Sequence, residues 1–383
     1  MLRVIQILHH SLGSVNLRAE PESGGQGWHE LVAREIAKST SEFEIECWRP
    51  ESSSVKTHVW TDSYRVTHRI YPSLRVRYGV ELSRSMIADL RAELRENPRT
   101  ALHLHGIYNL NTYLLAPLFG TRVPIVAHSH ERSGVGYGIA HQARRALRKY
   151  ALRNAARFFV STDEERSYLS EICGLDKVII APLPVDLTQF QMIDRKRART
   201  KLGWRTEDHY MLYVGRLEER KGVEYLLQAR RLLASSFPRL HLVVVGSGSL
   251  SHKDMNDTIL MGQVGYSDLP LYYNAADLCI LPSLRESWAR VVVESLACQV
   301  PVIGTWTGCV PTLVKDGIKG IFVVPMRDSV ALADRISEVL PRSEELRFKI
   351  DRSRLKNYGS DNFVRQMVLT YRELAARVRT ESQ

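Results

Sequence analysis

Two basic residues of interest follow an apolar run in the stretch "YVGRLEERKG". Arg216 comes after Gly215, which ends the run, and Lys221 precedes a segment whose apolar residues recur at helical spacing. Ligands of open parallel sheets bind at the carboxyl ends of the strands. Arg offers a forked donor and Lys a point charge, so the pair is suited to bind a diphosphate without a metal ion. From composition alone, two solvated surface charges explain the pattern equally well.

Two Glu residues bracket the start of another predicted helix in "LPSLRESWARVVVESLA". Glu286 precedes this helix and Glu294 lies a little over two turns further on, so both can face one side. Backbone N–H groups of Ser287, Trp288 and Ala289 lie at the helix start, where anions bind. Because a carboxylate accepts hydrogen bonds from vicinal hydroxyls, the stretch predicts a sugar or ribose beside a diphosphate. Two Glu at this spacing are also common on solvated helices.

The elements that would position these residues are short β-rich runs alternating with longer amphipathic segments, which predicts parallel sheets covered by helices. In the first half we expect strands at 3–8, 42–47, 101–106, 124–130, 157–162 and 177–182, and helices at 26–39, 82–96, 111–119, 139–154 and 164–172. In the second half we expect strands at 210–215, 240–246, 257–260, 277–283, 301–305 and 320–324, and helices at 222–236, 269–275, 288–299 and 328–340.

The chain of 383 residues suits two domains. Pro182 and Pro184 interrupt local structure between the strands and helices of the first half and those of the second half. A charged, polar stretch follows them. We therefore place the first domain at 1–184 and the second at 185–358, with a hinge within 182–200. The remaining residues, 359–383, have a helical pattern.

Composition limits the class of protein. Hydrophobic content of 44% and charged content of 25% are typical of a soluble globular protein, and no run approaches the ~20 apolar residues of a membrane span. The opening run contains His9 and His10 and is predicted to be a strand rather than a signal peptide. Five scattered cysteines predict reduced thiols and a cytoplasmic location. The net charge of +11 favours nucleotide phosphates, nucleic acid or an anionic membrane as partners.

Three stretches in combination resemble the donor-binding half of the retaining GT-B glycosyltransferases of family GT4. These stretches are "VGRLEERKG", "NAADLCILPSLRESWARVVVESLA" and "PVIGTWTGCVPTLVKDGIKGIFV". The resemblance implies a GT-B fold, in which two Rossmann-like doubly wound α/β domains face a central cleft. It also implies that the C-terminal helix, 359–383, returns to the first domain. It also implies that Arg216 and Lys221 hold the nucleotide diphosphate. Glu286 would contact hydroxyls of the transferred sugar, and Glu294 would bind the ribose.

Other implied contacts are less specific. The backbone near Gly262 to Val264 would touch the base. The chain departs from the family pattern in "GCVPT", where Cys309 and Thr312 replace a Gly and a Glu, and at Ala289, where a Gly is usual. These departures put part of the donor contact in doubt and remove no group that the chemistry needs.

The first half resembles the family less closely. "ESGGQGWHELVAREIA" is similar to a Gly-Gly turn before the first helix, so Gly24 and Gly25 would let the backbone approach a ligand; a simple loop is the alternative. "PIVAHSHE" resembles the segment with the active-site His, which falls on His130, with His128 as second choice. His105 ends another strand and is a candidate on the acceptor side, although a structural role is favoured.

The segment "HQARRALRKYALRNAAR", residues 141–157, contains six basic residues and no acidic one. As a basic helix it suits either contact with anionic lipid headgroups or a solvated face of a packed helix. The sequence leaves both open.

We therefore predict an enzyme that transfers a hexose from a UDP- or GDP-sugar to a hydroxyl of a glycan, lipid-linked or small-molecule acceptor. The resemblance implies retention at the anomeric carbon, with no cofactor and no metal ion. A nucleotide-sugar epimerase on the same scaffold is the first alternative. A basic nucleic-acid-binding protein is the second, but no helix-turn-helix, zinc or RNP-like motif supports it, and no nucleic acid is expected as a partner.

Overall fold

The structure is a computed structural model that describes residues 1–8, 28–52, 54, 56–75, 81–107, 109–129, 139–249 and 258–380. The chain divides into two compact units, Met1–Pro182 together with Phe363–Gln383, and Leu183–Asn362. Each unit contains a largely or wholly parallel sheet between layers of helices. The prediction of two Rossmann-like α/β units is therefore confirmed.

The first unit contains ten strands and, before residue 183, five helices within its described residues. The strands are β1 (Leu2–Ile7), β2 (Phe43–Glu51), β3 (His58–Thr61), β4 (Thr67–Pro72), β5 (Leu74–Arg75), β6 (Glu81–Leu82), β7 (Thr100–His105), β8 (Ile125–His128), β9 (Arg157–Val160) and β10 (Val178–Ile180). The helices are α1 (Trp28–Ser39), α2 (Arg84–Glu96), α3 (Leu110–Phe119), α4 (Ile139–Leu152) and α5 (Asp163–Cys173).

The main sheet of this unit has the order β10-β9-β8-β7-β1-β2-β4-β3. Its strands are parallel except β3, which pairs antiparallel with β4 at the edge. The central strands are buried on both faces, since α2 to α5 pack on one face and α1 on the other. Apolar residues therefore run continuously along them, as expected for a parallel sheet covered on both sides.

The second unit has six strands and seven helices among its described residues. The strands are β11 (His209–Val214), β12 (Leu240–Val245), β13 (Thr258–Gly262), β14 (Leu278–Leu281), β15 (Val302–Thr305) and β16 (Ile321–Val324). The helices are α6 (Arg195–Leu202), α7 (Val223–Leu232), α8 (Leu269–Ala275), α9 (Arg290–Ala297), α10 (Val310–Lys315), α11 (Ser329–Val339) and α12 (Ser343–Lys349).

The sheet of the second unit is wholly parallel, in the order β13-β12-β11-β14-β15-β16. The order changes direction between β11 and β14, so the carboxyl ends of these two strands flank the crevice where ligands of such sheets bind. Arg216 follows β11, and Glu286 follows β14. The topology thus brings the two main sequence motifs to one edge of one sheet.

The final helix, α13 (Ser360–Thr380), lies mostly in the first unit. Its apolar face contributes Phe363, Met367 and Tyr371 to the core that α1 covers. The second unit starts and ends at one place, because Val185 forms a parallel bridge with Gly359. None of the helices in the described ranges combines the length and apolar composition that crossing a membrane requires.

Two expectations about local structure were wrong. The segment 182–200 is not a linker outside the two units, because Val185 and Phe190 lie in the core of the second unit and α6 begins at Arg195; its role as a hinge stays a prediction. The basic helix expected over 141–157 ends at Leu152, and Arg157 starts β9 instead. Pairing of β9 with β8 satisfies the backbone there, in agreement with the strand expected at 157–162.

Candidate active site

Lys221 and Glu286 meet at the carboxyl edge of the second sheet. The Lys221 Nζ lies 2.6 and 2.8 Å from the two carboxylate oxygens of Glu286. The approach depends on Gly222, which has a φ of 63° and whose added Cβ would lie 2.1 Å from the carbonyl oxygen of Pro282. The order Lys-Gly at the start of α7 therefore positions the cation against the loop after β14.

Glu286 is held from three further directions. The Ser283 hydroxyl donates to Oε1 at 2.7 Å, and the Glu286 N–H donates to the Thr307 hydroxyl at 3.1 Å. Gly308 has a φ of 60°, and a Cβ there would lie 2.8 Å from the Glu286 Cβ. The loop after β15 thus packs against the backbone and Cβ of Glu286, and the side chain of Glu286 is only 5% exposed. The contacts with Lys221 and Ser283 orient the carboxylate before any ligand binds.

The start of α9 follows Glu286 by four residues. Ala289 adopts the left-handed conformation with a φ of 64° and turns the chain into the helix. Within the described residues, the backbone N–H groups of Ser287, Trp288 and Ala289 donate to no protein acceptor. Three amides beside a helix start, together with the helix dipole, form a site that favours an anion.

Cys309 occupies one of the positions where the chain departs from the family pattern. Its N–H donates to the carbonyl of Trp288 at 2.7 Å, and its thiol donates to the carbonyl of Ala289 at 3.3 Å. Burial raises the pKa of this thiol well above its ordinary value, so it stays neutral. Cys309 therefore keeps the two loops together and offers no reactive thiolate.

Glu294 lies on the buried side of α9 and is 2% exposed. The Tyr273 hydroxyl donates to Oε2 at 2.9 Å, and the Arg290 guanidinium donates to Oε1 from Nε and Nη2 at 3.3 and 3.2 Å. Burial, and then the Glu294 charge, raise the pKa of Tyr273 well above its ordinary value, so the hydroxyl remains a donor. Glu294 is thus a paired, oriented carboxylate.

Arg216 and Val264 complete the predicted donor residues. The Arg216 guanidinium lies 3.0 Å from Glu218 and is 47% exposed. Val264 follows β13 and packs partly buried against the core of the second unit. In this structure each predicted cation pairs with a local carboxylate, so a bound diphosphate would have to compete for both. The roles assigned to Arg216, Lys221, Glu286, Glu294 and Val264 remain predictions.

The first unit presents a different picture. His105 ends β7 and His128 ends β8, directly opposite each other in the sheet, and both are buried. The His105 Nε2 lies 3.1 Å from the Gln6 side-chain oxygen. Burial, and then the neighbouring His103, lower the pKa of His128 well below its ordinary value. His130, Gly24 and Gly25 lie outside the described residues.

His103, His105 and His128 form the one group of potential metal ligands among the described residues, with candidate ligand atoms within 4.8 Å of one another. Their rings are stacked, however: His103 is inclined by 25° to His105 and by 8° to His128, with centroids 4.3 and 5.6 Å apart. The lone pairs of imidazoles lie in the ring plane. In near-parallel planes they do not converge on one ion as a tetrahedral zinc site requires. The arrangement fits a packed neutral stack better than a metal centre.

Several supporting residues had no sequence signal that we used. Tyr273 donates to the Glu294 carboxylate and Thr307 accepts from the Glu286 N–H, each from another element, so no local spacing identifies them. Ser283 lies three residues before Glu286 in the same loop and was not singled out. Arg290 could have been found, since a cation four residues before Glu294 on a helix is a recognisable pair.

Comparison with known proteins gives the same division of the chain. The family "Glycosyl transferases group 1" matches residues 194–360, and the "Glycosyl transferase 4-like domain" matches residues 24–186. The chain is 29% identical over 301 residues to the D-inositol 3-phosphate glycosyltransferase of Geodermatophilus obscurus, over 70% of this chain and 66% of the relative. It is 30% identical over 254 residues to the Mycobacterium tuberculosis protein of that name, over 58% of this chain and 52% of the relative. The chain thus matches between half and two thirds of these relatives.

Solved structures share the architecture over nearly the whole chain. A sucrose-phosphate synthase from Thermosynechococcus elongatus aligns with a TM-score of 0.78 at 21% identity, covering 98% of this chain and all of that one. The Anabaena protein HepE, in complex with UDP, aligns with a TM-score of 0.71 at 16% identity, covering 97% of this chain and all of that one. At these identities the likeness concerns the fold.

Proposed function

Because the chain belongs to the GT4-type glycosyltransferases with the GT-B fold, we propose that it transfers a hexose from a nucleoside-diphosphate sugar to an acceptor hydroxyl, with retention at the anomeric carbon. One observation carries the proposal: the Lys221–Glu286 pair lies immediately before the amides of Ser287 to Ala289. A cation and N–H donors suit a diphosphate, and a fixed carboxylate suits sugar hydroxyls. HepE, of the same fold, binds UDP and UDP-glucose.

The proposed step breaks the bond between the anomeric carbon and the β-phosphate oxygen and forms a bond to the acceptor oxygen on the same face. The acceptor proton passes to the departing phosphate. Negative charge grows on the diphosphate, and Lys221, Arg216 and the helix amides would stabilise it there. Because these groups supply the positive charge, the proposal includes no metal ion. Glu286 orients the sugar, and the role predicted for His130 stays a prediction.

Product analysis tests the reaction. We would incubate the protein with UDP-glucose or GDP-mannose, with and without D-inositol 3-phosphate, the acceptor in the names of two relatives. A transferase releases nucleoside diphosphate only when a suitable acceptor is present, and the product keeps the donor's anomeric configuration. An epimerase would instead convert the donor without releasing diphosphate. Inverted product would contradict the retaining step.

Binding measurements test the donor site independently of the acceptor. Each nucleoside diphosphate is compared by thermal shift, where a ligand at one hundred times its dissociation constant stabilises by about 2.7 kcal/mol. We expect UDP or GDP to raise the melting temperature. If neither binds, and nucleic acid binds with steep salt dependence, the protein belongs to the second alternative.

Contact with an anionic membrane is a separate proposal about where the enzyme works. Residues 97–162 contain nine Lys or Arg and one acidic residue. The helices α3 and α4 pack side by side, and the large apolar side chains exposed among their described residues include Leu114, Leu118, Leu147 and Tyr150. Apolar side chains among exposed cations such as Lys149 suit the headgroup region of an anionic bilayer, where each cation adds roughly 1 kcal/mol.

The pairings in this region limit the number of available cations. Arg145 donates to Glu171, Arg148 is buried against the hydroxyls of Tyr113 and Tyr168, and Arg157 pairs with Glu373. Sedimentation with phosphatidylcholine vesicles, with and without phosphatidylglycerol, tests the contact. We expect binding only to the anionic vesicles, abolished by Leu147→Glu but not by Leu232→Glu, an exposed position in the second unit. Equal sedimentation of both variants would contradict this surface.

A further inference from the structure

Arg290 is the first residue of α9 and lies between the two parts of the proposed donor site. It follows Ala289, whose N–H belongs to the proposed diphosphate site, and it precedes Glu294, the proposed ribose ligand, by one turn. Side chains of a helix lean towards its amino end. The guanidinium is therefore tethered within reach of both the carboxylate and the amides at the helix start.

The contact between Arg290 and Glu294 is loose. The Nε and Nη2 of Arg290 donate to the same oxygen of Glu294, Oε1, at 3.3 and 3.2 Å. A strong Arg–carboxylate pair instead uses both carboxylate oxygens at shorter distances. The Lys221–Glu286 contact nearby is 2.6 and 2.8 Å long. Arg290 is therefore easier to displace from its carboxylate than Lys221 is.

Arg290 also covers the atom that a ribose would need. The Oε2 of Glu294 already accepts from Tyr273, and Oε1 accepts from Arg290. Glu294 is 2% exposed, whereas Arg290 is 24% exposed, so the guanidinium stands between the carboxylate and solvent. Two vicinal hydroxyls that donate to Glu294 must compete with this guanidinium for Oε1.

The guanidinium has a defined platform on one side. It lies over the ring of Tyr266, 5.0 Å from the centroid, in a cation–π contact. Tyr266 is itself anchored, since its carbonyl accepts from the Gln189 side chain at 2.9 Å and its ring packs against Phe190. The Tyr266 ring closes one side of the guanidinium. Two anionic partners then remain within its reach, which are the Glu294 carboxylate and an anion bound at the helix start.

We propose that Arg290 exchanges Glu294 for the diphosphate when a nucleotide binds, and so couples recognition of the ribose to recognition of the phosphates. The ribose hydroxyls then take Oε1 of Glu294, and the freed guanidinium donates to phosphate oxygens beside the amides of Ser287 to Ala289. Neither charge is left without partners, because hydroxyl donors replace the guanidinium on the buried carboxylate. A guanidinium also binds a phosphate in a forked geometry that it does not achieve on Oε1.

This inference rests on the proposed function and makes Arg290 a determinant of specificity for diphosphates over nucleosides. A nucleoside supplies the hydroxyls that displace Arg290 but no phosphate to receive it. A nucleoside diphosphate supplies both. Removing the guanidinium should therefore lower the affinity for the nucleoside diphosphate. The affinity for the nucleoside should stay the same or rise.

The test compares affinities of wild type and variants for the better of UDP and GDP, its monophosphate and its nucleoside, by calorimetry and ligand-observed NMR. For Arg290→Leu we expect the diphosphate to bind at least tenfold more weakly, while the nucleoside binds equally or more tightly. Arg290→Lys keeps a charge and should recover part of the diphosphate affinity. Arg335→Leu, which breaks an Arg–Glu pair on α11, is the matched control and should change neither.

Other outcomes separate this inference from the proposed function. If Arg290→Leu lowers the affinities for the nucleoside diphosphate and the nucleoside equally, Arg290 only supports Glu294 structurally and the proposed exchange is wrong. Unchanged affinity for both would also overturn it. If wild type binds no nucleoside diphosphate, the proposed function fails and the exchange fails with it. Melting temperatures of each variant identify any loss of folding, and Arg290→Gln provides a smaller change should Arg290→Leu be unstable.

Discussion

The two units hold their candidate polar residues in opposite ways. In the second unit, Lys221 and Arg290 are partly exposed cations that pair with the buried carboxylates of Glu286 and Glu294 at the carboxyl edge of the sheet. In the first unit, His103 and His128 are stacked inside the core and kept neutral by burial. A charged pair at an edge can exchange partners with a ligand. A buried neutral stack resists any change of charge.

Under the proposed function, the two units would contribute differently to the reaction. Ion pairs formed by neighbouring loops orient charges beforehand, which is what stabilisation of a developing anion requires. The buried histidines instead contribute to packing, and one of them binds the final helix, since the Tyr371 hydroxyl lies 2.7 Å from the His103 Nδ1. The following changes test this contrast, beginning with the largest expected effect.

Glu286→Gln should reduce turnover about 100-fold or more, because it removes the charge that orients the sugar and pairs with Lys221. Rates of nucleoside diphosphate release in the presence of acceptor measure the effect. Glu224→Gln, an exposed position on α7, serves as the control. The melting temperature should show that the variant stays folded at the assay temperature. A variant with wild-type turnover would remove Glu286 from the site.

Lys221→Ala should weaken binding of the preferred nucleoside diphosphate about 10- to 100-fold, the range for losing one charged hydrogen bond. Calorimetry measures this directly. Arg220→Ala removes the adjacent cation, which is more exposed and pairs with Glu218, and should have little effect. Equal affinities of Lys221→Ala and wild type would count against the diphosphate contact.

His103→Gln should flatten the dependence of stability on pH. Burial lowers the pKa of His103 to about 3, below the 6.5 of an unfolded chain. Between these values the unfolded state binds more protons, so stability is complete above pH 6.5 and falls towards pH 3, by up to about 1.4 kcal/mol per pH unit for this residue. Denaturant unfolding at several pH values measures the slope. His58→Gln, at an exposed position, should keep the wild-type slope.

Ala289→Gly should stabilise the protein slightly, by at most about 1 kcal/mol. A left-handed Ala costs about 1–2 kcal/mol, and the added freedom of Gly in the unfolded chain offsets part of the gain. Ala331→Gly, within α11, should instead lose up to about 1 kcal/mol. Chemical denaturation distinguishes the two signs. A clear destabilisation by Ala289→Gly would mean that the side-chain methyl supports the loop.

Much of the fold could be predicted from alternation of short apolar runs and amphipathic segments. The edge strand β3 and its neighbour β4 were missed. His58–Thr61, which forms β3, is largely exposed and lacks the continuous apolar pattern of a central strand. The segment that contains α6 was also misjudged, since its helix is highly basic. That helix is held by burial of Arg199 against Asp277, a partner far away in sequence.

In the candidate site too, local sequence locates some residues, whereas the contacts of others depend on tertiary packing. Sequence could place Lys221 and Glu286 at the carboxyl edge of a sheet, because each follows the end of a predicted strand. Their direct contact was not predicted, since it depends on β11 and β14 being neighbours in that sheet. The hydroxyls of Tyr273 and Thr307 could not be placed from sequence, because their contacts depend on how other elements pack. His105 and His128 also lie at the carboxyl ends of strands, where ligands of parallel sheets bind, yet both are buried. Position at a strand end locates an edge of the sheet and not the exposure of a side chain.

The bridge between Val185 and Gly359 makes the second unit an inserted domain whose two junctions are neighbours. The chain therefore passes between the two units twice. If a protease cut one of these connections, the other would still link the second unit covalently to part of the first. The same closeness of ends makes 183–362 a natural fragment to express by itself. It could also be transplanted between two adjacent residues of a host protein without stretching either.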